Sequence, residues 1–153
     1  VVNALSDWME VDVARDKQAH KMRFARSKEV GPQQSLGAVN RRGTIVSFPP
    51  DEQIFGKDVH FSPARLYRMA RSKAYLFRGV EIRWKCAPDL IKDETPAEDT
   101  LKFPGGLLDF LKSTIENKDT VTPRYFFGRL ENKDGKGAVE WAVTWAPDVD
   151  PLV

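Results

Sequence analysis

The chain has 153 residues, with 24 Lys and Arg against 22 Asp and Glu, a formal net charge of +2, 41% hydrophobic and 30% charged residues. That length holds one medium domain or parts of two, and so small a basic excess argues against a dedicated nucleic-acid-binding domain while leaving room for a local basic face. One cysteine, Cys86, excludes an internal disulfide and reads as a buried thiol in a reducing compartment; no apolar run approaches a membrane span, so the expected setting is the cytoplasm, with no membrane partner.

Val1, Val2, Asn3, Ala4, Leu5 and Ser6 open the chain without an initiator Met, a signal-peptide pattern or a helix cap, so they read as the interior of a longer sequence. Residues 8–15 alternate, with Trp8, Glu10, Asp12 and Ala14 on one face and Met9, Val11 and Val13 on the other. This predicts a strand with one wet side. Alternation resumes over 20–26 through Met22 and Phe24, and residues 16–19 predict the turn of an antiparallel hairpin. Residues 31–42, polar and glycine-containing, predict a loop. Residues 43–48 predict a third strand, ended by Pro49 and Pro50.

Ser62-Pro63 is a helix start, an N-cap followed by proline at the first helical position. Leu66, Met69, Ala70, Lys73 or Ala74, and Phe77 follow at helical spacing, and Gly79 predicts the C-terminal cap. Residues 80–86 predict a fourth strand, with Val80, Ile82 and Trp84 on one face. Residues 87–100, with two prolines and many acids, have no period and predict a linker or exposed loop. Gly105-Gly106 precedes a predicted helix over 107–116 along Leu107, Leu108, Leu111 and Ile115. Residues 124–130 and 137–145 predict two more strands joined by a hairpin turn over 132–136. The second puts Val139, Trp141, Val143 and Trp145 on one face and Ala138, Glu140, Ala142 and Thr144 on the other. The chain stops at Pro151-Leu152-Val153 without a terminal helix or polar tail, so both ends read as breaks. There is no internal repeat.

Catalytic constellations are missing from the pattern. His20 and His60 lie in different contexts with no cysteine nearby, so no zinc site is expected. No G-x-S-x-G, P-loop or G-x-G-x-x-G occurs. Gly105-Gly106 before a helix is either a phosphate cradle or a plain turn, and the turn is favoured. Asp93, Glu94, Glu98 and Asp99 read as a solvated loop, because no fixed element gathers them on a metal. Arg65, Arg68, Arg71, Lys73 and Arg78 cover the outer side of the long helix, a face for solubility and stem packing or a shallow anion- or DNA-facing surface. These observations define an α+β segment and no reaction.

Five stretches, in order, resemble the B subunits of bacterial type IIA topoisomerases. They are residues 1–6 with Arg15 closing the first strand; 42–49, Arg-Gly-Thr-Ile-Val-Ser-Phe-Pro; 72–84, Ser-Lys-Ala-Tyr-Leu-Phe-Arg-Gly-Val-Glu-Ile-Arg-Trp; 103–107, Phe-Pro-Gly-Gly-Leu; and 137–143, Gly-Ala-Val-Glu-Trp-Ala-Val. The Ala-Tyr-Leu-Phe and Glu-Trp-Ala-Val versions look more like topoisomerase IV than gyrase B. The resemblance implies the C-terminal part of a GHKL (Bergerat-type) ATPase sandwich over 1–102, then the first part of a ribosomal-S5-domain-2-like transducer over 103–153. In this family ATP with Mg2+ closes two B subunits into a gate, and hydrolysis drives strand passage through DNA held by the A subunit. Relaxation and decatenation follow.

By resemblance, Thr44 matches the threonine beneath the adenine, Val46 the apolar floor two residues on, and Arg15 the arginine at the pocket mouth, where inhibitors overlapping ATP also bind. Val1 and Val2 would begin just past the nucleotide lid and line the nucleotide pocket. Read from the residues alone, Thr44 is equally a β-branched strand residue and Arg15 an exposed strand-end charge. The family's general-base glutamate, magnesium-binding asparagine, adenine-reading aspartate and lid glycines match nothing here and would lie upstream. Its γ-phosphate lysine would lie downstream. No catalytic residue and no metal ligand is therefore assigned, and this polypeptide is expected neither to hydrolyse ATP nor to bind it tightly. Residues 87–100 depart from the family's short connection. The competing readings are a non-catalytic module docking nucleic acid or protein on the basic helix, and another GHKL member, a mismatch-repair ATPase or heat-shock chaperone. Gly105-Gly106 and Glu140-Trp141 argue against the last.

Overall fold

The computed structural model describes residues 1–147, which fall into two compact units, one over 1–61 and one from residue 62 onward. The expected break at 151–153 lies outside the described residues. Both units mix helix and sheet, as the α+β reading requires. No described helix is long and apolar enough to cross a membrane.

The first unit is an antiparallel sheet of β1 (Trp8–Arg15), β2 (Gln18–Ala25), β3 (Lys28–Glu29), β4 (Gln34–Ala38) and β5 (Gly43–Ser47), with a short helix α1 (Glu52–Phe55) after it. The order is β3-β2-β1-β5, and β4 also pairs with β2. Val1 and Val2 lead into a 3-10 turn, Asn3–Leu5, that has no side-chain cap. The β1–β2 turn is tighter than the expected 16–19. Asp16 and Lys17 both take positive φ, 52° and 61°, so a two-residue turn suffices and β2 starts at Gln18. Such turns match the right-handed twist of the strands they join. Arg26 and Ser27 repeat the device between β2 and β3. The loop expected over 31–42 is corrected in part, because Gln34–Ala38 is a strand held on β2 with a register shift at Ala19/His20. All five of its residues are exposed, so backbone pairing alone makes the strand and leaves no apolar period. Asp51, 3% exposed, caps α1 through the Gln53 amide and takes the Arg26 guanidinium at 3.1 Å.

The second unit starts with α2 (Pro63–Leu76), whose Ser62 hydroxyl accepts the Arg65 amide at 3.4 Å. Phe77 is the residue at its C-terminal cap, and Gly79 takes φ +81° two residues later. Next come β6 (Ile82–Lys85), β7 (Glu98–Leu101), α3 (Leu107–Thr114), β8 (Phe126–Glu131) and β9 (Ala138–Val143). The linker expected over 87–100 is corrected at its end. Glu98–Leu101 pairs with β6, and the approach is pinned by Cys86 N–H on the Ala97 carbonyl and the Trp84 indole on the Pro96 carbonyl, both at 2.8 Å. Acidic side chains hide this strand, while Leu101 at 2% exposure anchors it. Cys86 is half-buried rather than buried, since it lies at the end of a two-stranded ribbon. Ala74, Tyr75, Leu101 and Ile115 form the core. The 102/103 boundary falls inside this unit, where the Tyr75 and Phe103 rings stack at 3.7 Å.

Candidate functional site

The register of β1 with β5 decides which expected site residues meet. Val13 faces Thr44 and Val11 faces Val46. Facing residues share one side of a sheet, and so do residues two apart on a strand. Arg15, Thr44 and Val46 therefore lie on one face, with Met9, Val11 and Val13 between them. On the β2 side that face carries a recess of about 740 Å³ lined by Met9, Val11, Val13, His20, Met22 and Phe24. The alternation of β1 marked Met9, Val11 and Val13 in the sequence and that of β2 marked Met22 and Phe24; their convergence on the face of Thr44 did not show there. Arg15 is open to solvent, its only described ion pair being a loose 3.7 Å contact with Asp16. Val1 and Val2 are not brought to this face. Val1 is 98% exposed, and Val2 lines a separate apolar cavity of about 240 Å³ with Leu5, Phe48, Phe55 and Phe61.

In the second unit, one carboxylate organises the Gly105-Gly106 turn. Glu140 Oε1 accepts Arg78 Nε at 3.1 Å, Arg78 Nη2 at 2.8 Å and the Leu107 amide at 2.9 Å. Arg78 Nη2 also donates to the Gly105 carbonyl, and the Gly105 amide donates to Asp109. Glu140 thus caps α3 from a neighbouring strand, because Gly106 has no side chain to do so. The amides that would cradle a phosphate here are already bonded, so this glycine pair is a structural turn. Burial works against the charged form of Glu140, but the Arg78 and Leu107 donors and the Arg78 and Arg129 charges outweigh it and hold the carboxyl below its ordinary range. A depressed native pKa adds stability that is present above the unfolded value, about 4.3, and is lost as pH falls through the native value. Acid titration of unfolding should show that loss in the wild type and a flatter profile in Glu140→Gln. Superimposable profiles would show that Glu140 carries no such linkage.

The basic helix face is less free than its composition suggests. Arg71 donates to the Tyr75 hydroxyl and Arg78 is held by Glu140, while Lys73 sits over the Phe77 ring. The acidic group is also dispersed. Glu98 pairs with Lys85, and Asp99 accepts the Tyr67 phenol at 2.5 Å, which raises the phenol above its usual value. Among the described residues no three His, Cys, Asp or Glu side chains stand close enough to hold a metal ion.

No family model matches the chain. It is 54% identical over 147 residues to the B subunit of DNA topoisomerase 4 from Caulobacter vibrioides and 49% over 148 residues to that from Bartonella bacilliformis; these matches cover 96% and 95% of this chain and 21% of each relative. The DNA gyrase B protein of Thermotoga maritima is 39% identical over 142 residues, covering 91% of this chain and 21% of that protein. The chain therefore spans about a fifth of the length of the curated relatives it matches. Among solved structures, the 43K ATPase domain of Thermus thermophilus gyrase B, in complex with an aminocoumarin, superposes with a TM-score of 0.71 and 30% identity over 85% of this chain and 34% of that one.

Proposed function

We propose, from the premise that this chain belongs to the family of bacterial type IIA topoisomerase B subunits, that it is the part of the ATPase subunit that floors the adenine end of the nucleotide site. The parent would be an ATP-dependent cytoplasmic enzyme that passes one DNA duplex through another held by its A subunit. Nucleotide favours closure of two B subunits because it contacts lid and transducer together only in the closed state. Residues 1–102 would belong to the GHKL domain and 103–153 to the transducer.

The observation that carries the reading is the β1–β5 register, which gathers Arg15, Thr44 and Val46 on one face. There the Thr44 hydroxyl, able to donate and accept, orders a water against the adenine ring. Val46 supplies an apolar floor and Arg15 borders the mouth. Val1 and Val2 lie away from this face, Val1 in solvent and Val2 in the separate apolar cavity. The residues present suit the adenine end only. The described carboxylates do not cluster for Mg2+.

Calorimetric titration of the isolated chain with ATP should give no binding tighter than about 1 mM, or about −4.1 kcal/mol. Sub-millimolar binding would overturn the expectation that the segment alone is inactive. In a full-length B subunit carrying this segment, Thr44→Val should raise the ATP KM about tenfold through one lost hydrogen bond. An unchanged KM would remove Thr44 from the site. The alternative, a binding module on the basic helix, is weakened by the internal engagement of Arg71 and Arg78.

A further inference from the structure

The 102/103 division runs through the second unit, and few directed contacts cross it. Among the described residues β6 pairs only with β7 and β8 only with β9, so no sheet spans the division. No turn or loop backbone hydrogen bond joins described residues on its two sides. The side-chain hydrogen bonds and ring contacts that cross, among the described residues, come from Tyr75 in the last turn of α2 and Arg78 just past its end. The unit's other described ion pairs, on Glu81, Glu98 and Glu131, each lie on one side of the division.

The two crossing residues differ in what they fix. Tyr75 attaches through a ring stack and an edge contact, and such apolar contacts tolerate sliding. Arg78 sets an angle. Its planar guanidinium donates to Glu140 Oε1 from both Nε and Nη2 and to the Gly105 carbonyl from Nη2, so one rigid fork grips two points across the division. The receiving carboxylate is itself held by the Leu107 amide. The Arg78 and Glu140 side chains are 31% and 15% exposed, so solvent screens this pair less than an ordinary surface pair.

We propose that Arg78 is a positioning residue that locks the α2–β6–β7 part to the α3–β8–β9 part, and that this lock passes nucleotide-driven closure of the longer protein on to DNA strand passage. The coupling rests on the proposed function and its domain division; the lock does not. Packed parts of one chain shift against each other by default unless a large apolar interface holds them. Without the fork, the two parts stay attached at Tyr75 and turn about its stack.

The lock is tested in the 153-residue chain by double electron–electron resonance, with spin labels on Thr100→Cys in β7 and Leu130→Cys in β8 and with Cys86→Ala. The distance distribution should be narrow, should broaden or split in Arg78→Ala, and should stay narrow in Lys85→Ala, which removes an ion pair lying on one side only. Arg78→Lys keeps the charge without the fork and should fall between; it carries the same test if Arg78→Ala does not fold. The coupling is tested in a full-length B subunit carrying this segment and assembled with its A subunit. There Arg78→Ala should cut strand passage per ATP hydrolysed about fivefold or more, the low end of coupling between sites, with the ATP KM within about twofold of the unmutated protein. A distribution as narrow in the Arg78 variants as in the unmutated chain, or equal broadening in Lys85→Ala, overturns the lock. Broadening with an unchanged strand-passage ratio overturns the coupling. An unmutated assembly without ATP-dependent strand passage overturns the functional reading and the coupling with it, while the lock stands on the distance measurement.

Discussion

Tyr75→Ala should destabilise the second unit by about 3–5 kcal/mol, the range for removing a buried aromatic side chain. Tyr75 is 5% exposed, and its ring stacks on Phe103 and meets Phe110 edge-on at 5.3 Å. Its hydroxyl donates to Ser113 at 3.2 Å and accepts from Arg71 at 3.3 Å. One side chain therefore fastens α2 to the segment entering α3 and to α3 itself. Alanine is the best helix former, so the loss reports packing rather than propensity. Tyr75→Phe keeps the ring and gives up the hydroxyl bonds, and should cost only about 1 kcal/mol. Denaturant unfolding of the three proteins checks this. If Tyr75→Ala cost no more than Tyr75→Phe, the aromatic stack would not be what holds these helices together.

Gly106→Ala should cost about 2–4 kcal/mol, combining backbone strain with lost charged hydrogen bonds. Gly106 sits at φ 60°, ψ −126°, a conformation that glycine tolerates and L side chains resist. A Cβ there would lie 2.6 Å from both Arg78 Nε and Glu140 Oε1, between the partners of the pair. Gly135→Ala separates the two costs. Gly135 also has positive φ, 69°, but a Cβ there meets nothing within 4 Å, so it carries only the backbone penalty, about 1 kcal/mol. Equal losses in the two variants would show that the Arg78–Glu140 pair shifts aside freely. A larger loss at Gly106, with weakened hydrogen-exchange protection of the first turn of α3, is the expected result.

What the sequence determined by itself were the elements with a strong period or punctuation. The alternation of 8–15 located β1, the run over 43–48 with its Pro49-Pro50 stop located β5, and Ser62-Pro63 set the start of α2 to the residue. The family match along the whole chain was equally readable, because it rests on order and spacing of short stretches. Edge strands were not readable. Gln34–Ala38 and Glu98–Leu101 hold their places by backbone bonds to a neighbour, and mostly exposed side chains leave no period. Tertiary structure alone decided which groups are free. Arg78 read as part of a basic face until Glu140, 62 residues away, claimed it. Arg15, Thr44 and Val46 were separate matches until antiparallel register put them on one face. Local pattern is a property of neighbours in sequence, whereas ion pairing, register and burial are set by partners that only folding brings within a few ångströms.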